Sequence, residues 1–276
     1  MLEAIFLGAL QGFTEFIPIS SSAHIRSAGE LFGTNADPGA TFTAITQIGT
    51  ELAVLIYFRK DILRIALAWM NQISRRKLQG DEIRDARMGW LIIVGSLPIV
   101  VLGYLGQDLI RNNFRSLWLI AIVLIVFGVV LGIADKYGKV ERQLHELTPA
   151  HGILYGLAQS LALVPGVSRS GATIAMGRFL GYSREAALRY SFLLALPAVF
   201  GSGLYELKGA IGDTSAIQVF SLAETLVATV IAFVIGYAVI AWILKYVTTK
   251  SFAPFIAYRI GLGSLLLIAL STGMIS

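Results

Sequence analysis

Two short polar runs interrupt otherwise apolar stretches: Gln11-Gly12-Phe13-Thr14-Glu15-Phe16-Ile17-Pro18-Ile19-Ser20-Ser21-Ser22-Ala23-His24 and Pro165-Gly166-Val167-Ser168-Arg169-Ser170-Gly171-Ala172-Thr173. Gln11 and Glu15 are four residues apart, so a helix presents both on one face. Pro18 ends that helix, because the residue before a proline is pushed out of the α region. The hydroxyls of Ser20, Ser21 and Ser22 can then cap a following helix, with His24 in its first turn. The second run repeats the logic: Pro165-Gly166 stops one segment, and Ser168 to Thr173 open another that carries Arg169. Helix N-termini bind phosphate through free N–H groups and the positive end of the helix dipole. Arg169 adds a planar fork suited to phosphoryl oxygens. Two such ends and one guanidinium make a diphosphate site.

The setting is a membrane. The chain is 56% apolar, and its 14% charged residues fall well below the roughly 25% of soluble domains. Mean hydropathy is +0.73. Ionisable groups at membrane depth are costly enough to be functional by default, which singles out Glu15 and Arg169. The absence of Cys excludes disulfides and thiolate metal sites and says nothing of compartment. Met1-Leu2-Glu3 lacks a basic leader, so no cleavable signal is expected. The net charge of +5 reads as a topology signal, and nothing points to nucleic acid.

The elements that must position these residues follow from length. About 20 apolar residues cross a bilayer, and six segments qualify: near Thr41 to Phe58, Met88 to Gly106, Ser116 to Ala134, Ala187 to Leu207, Phe220 to Leu244 and Phe255 to Ile275. Leu2 to Ile17, Ser22 to Phe32, Ala150 to Val164 and Ala172 to Leu180 are too short or too polar to cross alone. They come in pairs broken by Pro and a hydroxyl-rich turn. Such irregular backbone is tolerated at membrane depth only when buried in protein or lining a cavity, which fits re-entrant pairs of half-helices. The expected fold is an all-α polytopic membrane protein, a single integral domain over 1–276 made of two repeats, 1–134 and 149–276. Each repeat is a re-entrant pair followed by three spans. Three crossings place the second repeat on the opposite face, so the repeats are inverted and their hairpin tips can meet near the midplane. The order Gln11, Pro18, Ser20, Ser22 and Gln159, Pro165, Ser168, Ser170 hints at the same relation.

Lys and Arg in short loops set orientation. Arg59, Lys60, Arg64, Arg75, Arg76, Lys77, Arg84 and Arg87 fall in one segment, joined on the same face by Lys136, Lys139, Arg142, Arg184, Lys245 and Lys250; opposite loops hold Arg111, Arg115 and Lys208. The first group is expected in the cytoplasm and both termini outside it. Within the basic segment Ile62, Leu63, Ile65, Ala66, Trp69 and Ile73 recur at helical spacing, as in an amphipathic helix lying at the membrane surface.

Plainer roles compete. Membrane serines and threonines bond to their own backbone or a neighbouring helix, a role open to Ser20 and Ser170. Arg169 could pair with Glu15, which is compatible with an empty phosphate pocket. Arg26 and Glu51 are further intramembrane charges, expected to pair with one another or face a vestibule. Arg259 is expected at the interface.

At these residues the chain resembles the undecaprenyl-diphosphate phosphatase family, the bacitracin-resistance proteins. The resemblance runs through Gln11-Gly12-x-Thr14-Glu15-Phe16-x-Pro18-x-Ser20-Ser21, His24, Gln47-x-Gly49, Pro165-Gly166-x-Ser168-Arg169-Ser170-Gly171-Ala172-Thr173, Ser191-Phe192-Leu193-Leu194 and Tyr258-Arg259. It implies removal of the terminal phosphate of a C55 polyprenyl diphosphate, releasing the monophosphate carrier of cell-wall synthesis in the bacterial plasma membrane. It also implies Glu15, Ser21, His24 and Arg169 as catalytic residues, with Gln11, Ser20, Ser168, Ser170 and Thr173 binding substrate. A divalent cation, Mg²⁺ or Ca²⁺, would sit near Glu15, with Gln11 beside it. Gln11 stands where many members have Glu, which weakens a two-carboxylate metal site, and Ala23 replaces a common Gly. The implied partners are the lipid diphosphate and the membrane, with a homodimer left open. In the implied mechanism Ser21 attacks phosphorus while His24 or Glu15 takes its proton.

Two rivals differ in class. Lipid phosphatases with a His nucleophile carry a second His after a Ser-Arg pair, and here Ser168-Arg169 is followed by Ser170-Gly171-Ala172-Thr173-Ile174-Ala175. A flippase or other secondary transporter shares the architecture of broken helices but would not release phosphate in detergent. The topology is tested directly in this Cys-free chain: Gln79→Cys should resist an impermeant thiol reagent in intact cells and Asn112→Cys should label. The reverse pattern inverts the orientation.

Overall fold

The computed structural model describes residues 1–31, 38–106, 116–138, 142–212 and 219–275. Phe32, Arg111, Asn112, Arg115, Lys139 and Ser276, which entered the expectations above, lie outside the described residues. Among the described residues there are eleven α-helices and no strand: α1 (Leu2–Thr14), α2 (Ser21–Leu31), α3 (Gly39–Tyr57), α4 (Arg59–Ile73), α5 (Asp81–Leu105), α6 (Leu117–Tyr137), α7 (Pro149–Ser160), α8 (Arg169–Phe179), α9 (Arg184–Gly212), α10 (Leu222–Val247) and α11 (Ala253–Ser271). Helices α5, α6, α9, α10 and α11 are each long and apolar enough to cross a membrane, and α3 with α4 forms a sixth candidate bent by 81°. The protein is a polytopic, all-helical membrane protein.

The helices differ from expectation at their ends, for local reasons. Helix α1 stops at Thr14, ahead of Pro18, and residues 15–19 form turns. Helix α7 opens with Thr148 accepting the His151 N–H at 3.2 Å and Pro149 in the first turn, where a missing N–H costs nothing. It tightens into a 3₁₀ turn over Leu161–Leu163 before Pro165. Helix α5 begins at Asp81, well before Met88, because its acidic first turn suits a helix N-terminus and carries no hydropathy signal. The bend at Phe58 turns α4 away from α3. The buried face of α4, Ile65 and Ala68, packs on α5, while Leu63, Leu67, Met70 and Ile73 are exposed.

The first helix of each hairpin packs on a span from the other half: α1 runs along α10, and α7 along α5. Small residues allow both approaches, as membrane helix contacts require. A Cβ at Gly8 would stand 2.5 Å from the Ala228 carbonyl oxygen, one at Gly12 2.7 Å from that of Ala232, and one at Gly156 would run into the Gly95 backbone. Helices α6 and α11 pair, as do α3 and α9. Gly8 and Gly156, Gln11 and Gln159, Pro18 and Gly166, Ser20 and Ser168, and Ser22 and Ser170 are each separated by the same number of residues. Ser20 and Ser168 both adopt positive φ, 73° and 69°, a conformation rare outside glycine. In both turns the hydroxyl two residues on is close: Ser20 Oγ is 3.1 Å from Ser22 Oγ, and Ser168 Oγ 3.2 Å from Ser170 Oγ. The two turns share one geometry.

Arg259 joins them. It was expected at the interface, but it is fully buried. Its Nη1 donates to Pro18 O at 3.1 Å, and its Nη2 to Gly166 O at 2.8 Å and Val167 O at 3.0 Å. The correction has a clear cause: backbone that leaves a helix in the protein interior needs donors for its carbonyls, and a guanidinium supplies several in one plane. Arg259→Ala would orphan these carbonyls, at roughly 1–3 kcal/mol for each buried group. Thermal unfolding in detergent should show a loss of several kcal/mol, with Arg259→Lys recovering only part because an ammonium cannot reach both turns at once.

Candidate active site

The site forms where the two turns meet. Glu15 caps the end of α1 with its N–H still bonded to Gln11 O. Its carboxylate, almost wholly buried, gathers three donors. Gln11 Nε2 and the Ser21 hydroxyl donate to Oε2 at 2.6 and 2.7 Å, and Arg169 Nη2 donates to Oε1 at 2.7 Å. The same Nη2 donates at 2.6 Å to Oε1 of Glu51, a fully buried residue of α3. Glu51 therefore meets Arg169 and not Arg26 as its hydrogen-bond partner, correcting the expected pairing. Two carboxylates on one guanidinium leave this buried cluster with a formal charge of −1.

Three atoms of the cluster are buried with no hydrogen-bond partner among the described residues: Arg169 Nη1, Gln11 Oε1 and Glu51 Oε2. An unmet buried polar atom costs roughly 1–3 kcal/mol, so one donor and two acceptors are held ready for something else. No group of three or more His, Cys, Asp or Glu side chains among the described residues forms a ready-made metal cage. Mg²⁺, however, is commonly held by one or two carboxylates together with substrate phosphates, and Glu51 Oε2 and Gln11 Oε1 are oxygen ligands of that kind. Glu15, the metal ligand expected from sequence, accepts three hydrogen bonds, from Gln11, Ser21 and Arg169.

Of the two groups expected to take the Ser21 proton, Glu15 stands at the hydroxyl. His24 is oriented elsewhere. Its Nδ1 is 2.7 Å from Ser20 O, which can only accept, so Nδ1 carries the proton and Nε2 is left to accept from the Tyr258 hydroxyl at 2.7 Å. The two rings stack at 5.5 Å and 8°. Tyr258 is half exposed and places this wall of the site at the protein surface.

The remaining expected residues hold the frame. Ser168 caps α8 by accepting the Gly171 N–H at 3.1 Å. Ser170 Oγ lies 3.4 Å from the carbonyls of Glu15 and Ile17, tying the second turn to the first. Gly166 N–H reaches Ser22 Oγ across the same junction. Thr173, expected to bind substrate, is fully buried with its hydroxyl on Arg169 O, Ser170 O and Ser191 Oγ; it fastens α8 to α9. Ser20 is buried and bonded to Ser22.

The two halves share a scaffold and differ in chemistry. Arg169 occupies the place equivalent to Ser21, Leu163 that of Glu15, and Ala172 that of His24. One turn thus brings the acid and hydroxyl, and the other the cation. Sequence reasoning flagged Glu51 as an intramembrane charge but missed its partner, and it missed that Tyr258 faces His24. A separate cavity of about 710 Å³ lies between α4, α5 and α9, lined by Asp61, Arg64, Asp85, Arg87, Glu185 and Arg189 among others, and contains none of these site residues. Its charges largely pair with each other: Arg64 with Asp61 and Asp85, Arg189 with Asp61 and Glu185.

Comparison with known proteins identifies the family. The family model described as bacitracin resistance protein BacA matches residues 4–265. An undecaprenyl-diphosphatase of Micrococcus luteus is 58% identical over 275 residues, covering 100% of this chain and 99% of the relative. One from Pseudarthrobacter chlorophenolicus is 56% identical over 274 residues, covering 99% and 98%. The protein named undecaprenyl-diphosphatase 2 of Agrobacterium fabrum is 57% identical over 275 residues, covering 100% and 97%. With a family match across nearly its whole length and relatives of more than half identity end to end, the chain belongs to the bacitracin resistance protein BacA family.

Proposed function

We propose that the chain hydrolyses the terminal phosphate of undecaprenyl diphosphate, giving the monophosphate lipid carrier of peptidoglycan synthesis and thereby resistance to bacitracin. It works in the bacterial plasma membrane with both termini outside the cytoplasm and the second repeat inverted relative to the first. The polyprenyl tail lies between spans and in lipid. The observation that carries the reading is the chain Ser21–Glu15–Arg169: a hydroxyl, a carboxylate at 2.7 Å to receive its proton, and a guanidinium at 2.7 Å from the same carboxylate with Nη1 unspent.

In this mechanism Arg169 Nη1 and the N–H groups at the starts of α2 and α8 hold the diphosphate. Ser21 Oγ attacks the terminal phosphorus in line, its proton passes to Glu15, and the bridging P–O bond breaks with polyprenyl monophosphate as leaving group. Water then hydrolyses the phosphoserine, releasing inorganic phosphate. A divalent cation, Mg²⁺ or Ca²⁺, would offset phosphate charge when bound. Positioning and charge stabilisation supply most of the rate, as in phosphoryl transfer generally. Ser20 O holds His24 in one tautomer, and Tyr258 fixes the ring from its other nitrogen.

Phosphate release from C55 diphosphate in detergent tests the reading, since a transporter has no turnover without a membrane. Ser21→Ala should lose several orders of magnitude in kcat with substrate binding kept; substantial residual turnover together with a trapped phosphohistidine would make His24 the nucleophile. Arg169→Lys should be nearly as damaging as Arg169→Ala, because an ammonium keeps the charge but cannot span two carboxylates and a phosphoryl oxygen at once. Near-normal turnover of the Lys variant would mean that charge alone matters.

A further inference from the structure

We infer that Glu51 is the second carboxylate of the site and that, with the Gln11 carbonyl oxygen, it binds a hard divalent cation together with the substrate's diphosphate. The inference rests on the phosphatase reading above and makes Glu51, in place of Glu15, the acidic ligand beside Gln11. Glu51 sits within α3, on a span whose neighbouring residues Ala53 and Val54 are buried and apolar, and it is itself fully buried. A carboxylate there is expensive and has to be held by something. Arg169 Nη2 meets only Oε1, and that nitrogen is shared with Glu15. Among the described residues Oε2 has no hydrogen-bond partner, and neither has Gln11 Oε1, on the side chain whose amide nitrogen donates to Glu15.

The chemistry of the free atoms is selective. Both are anionic or carbonyl oxygens, the ligands that Mg²⁺ and Ca²⁺ take, and two protein oxygens plus phosphate oxygens and water complete a Mg²⁺ shell without an all-protein cage. Charge points the same way. Arg169, Glu15 and Glu51 sum to −1, a cluster that repels a diphosphate; a divalent cation brings the sum to +1. Gln11 contributes a neutral oxygen from α1, and α3 delivers the acid. The Gln11 amide is thereby free to anchor Glu15 for its exchange with Ser21.

Binding of Mn²⁺ to the purified full chain, read by electron paramagnetic resonance with methylenediphosphonate as a non-hydrolysable diphosphate, tests this without turnover. Glu51→Gln should weaken Mn²⁺ by more than the roughly 10- to 100-fold that loss of an outer-shell partner costs, and adding Gln11→Glu should restore most of the affinity by supplying an acid from α1. Glu51→Asp, which keeps the charge and shortens the reach, should fall between and serves if the Gln variant does not fold. Unchanged Mn²⁺ affinity in folded Glu51→Gln or Glu51→Asp, or no Mn²⁺ binding by the unaltered chain, overturns the inference. The phosphatase reading fails separately, by absence of phosphate release from the unaltered chain.

Discussion

Everything in the site hangs on the guanidinium of Arg259. Two turns that break their helices in the protein interior leave buried carbonyls that need donors, and the equivalent carbonyls of Pro18 and Gly166 are met by the same side chain. A buried arginine is costly unless its donors are matched, and these turns match them. The need runs both ways: the turns require the cation, and the cation requires the turns. That mutual constraint fixes where Ser20 and Ser168, at positive φ, hand the chain on to α2 and α8, and so fixes Ser21 and Arg169 against each other.

From that junction the chemistry is distributed unequally over a repeated frame. The glycine-mediated contacts of α1 with α10 and of α7 with α5 place both turns at the centre. Ser22 and Ser170 spend their hydroxyls on backbone across the junction, and Thr173 spends its own on Ser191 of α9. Glu15 then works as a hub: its carboxylate receives Gln11, Ser21 and Arg169 at once. Preorganisation of this kind lets a site stabilise developing charge without rearranging during the reaction.

The sequence made much of this legible. Pro18 and Pro165 marked the breaks, the four-residue step from Gln11 to Glu15 placed both on one face, and the serine clusters marked helix starts; each is a local rule of backbone sterics or capping. The polar termini of α5 and α9 were less legible, because hydropathy sees only the part of a helix that meets lipid. Thr173 enters as a substrate contact only through the family resemblance, and the turn of its hydroxyl toward Ser191 on α9 depends on packing that the chain alone does not show.

By itself, then, the sequence determined the membrane class, the broken half-helices, the two turns and the membership of the family, since all of these follow from composition, spacing and motif. Only the tertiary structure decided which charge meets which. Glu51 and Arg169 lie 118 residues apart and His24 and Tyr258 234 apart, and Arg259 reaches both turns from the last helix. The reason is physical. Helices in lipid are apolar on nearly every face, so their periodicity carries little information about which side turns inward or at what depth. Those two quantities, set by small-residue contacts between helices, choose the partner of every buried charge.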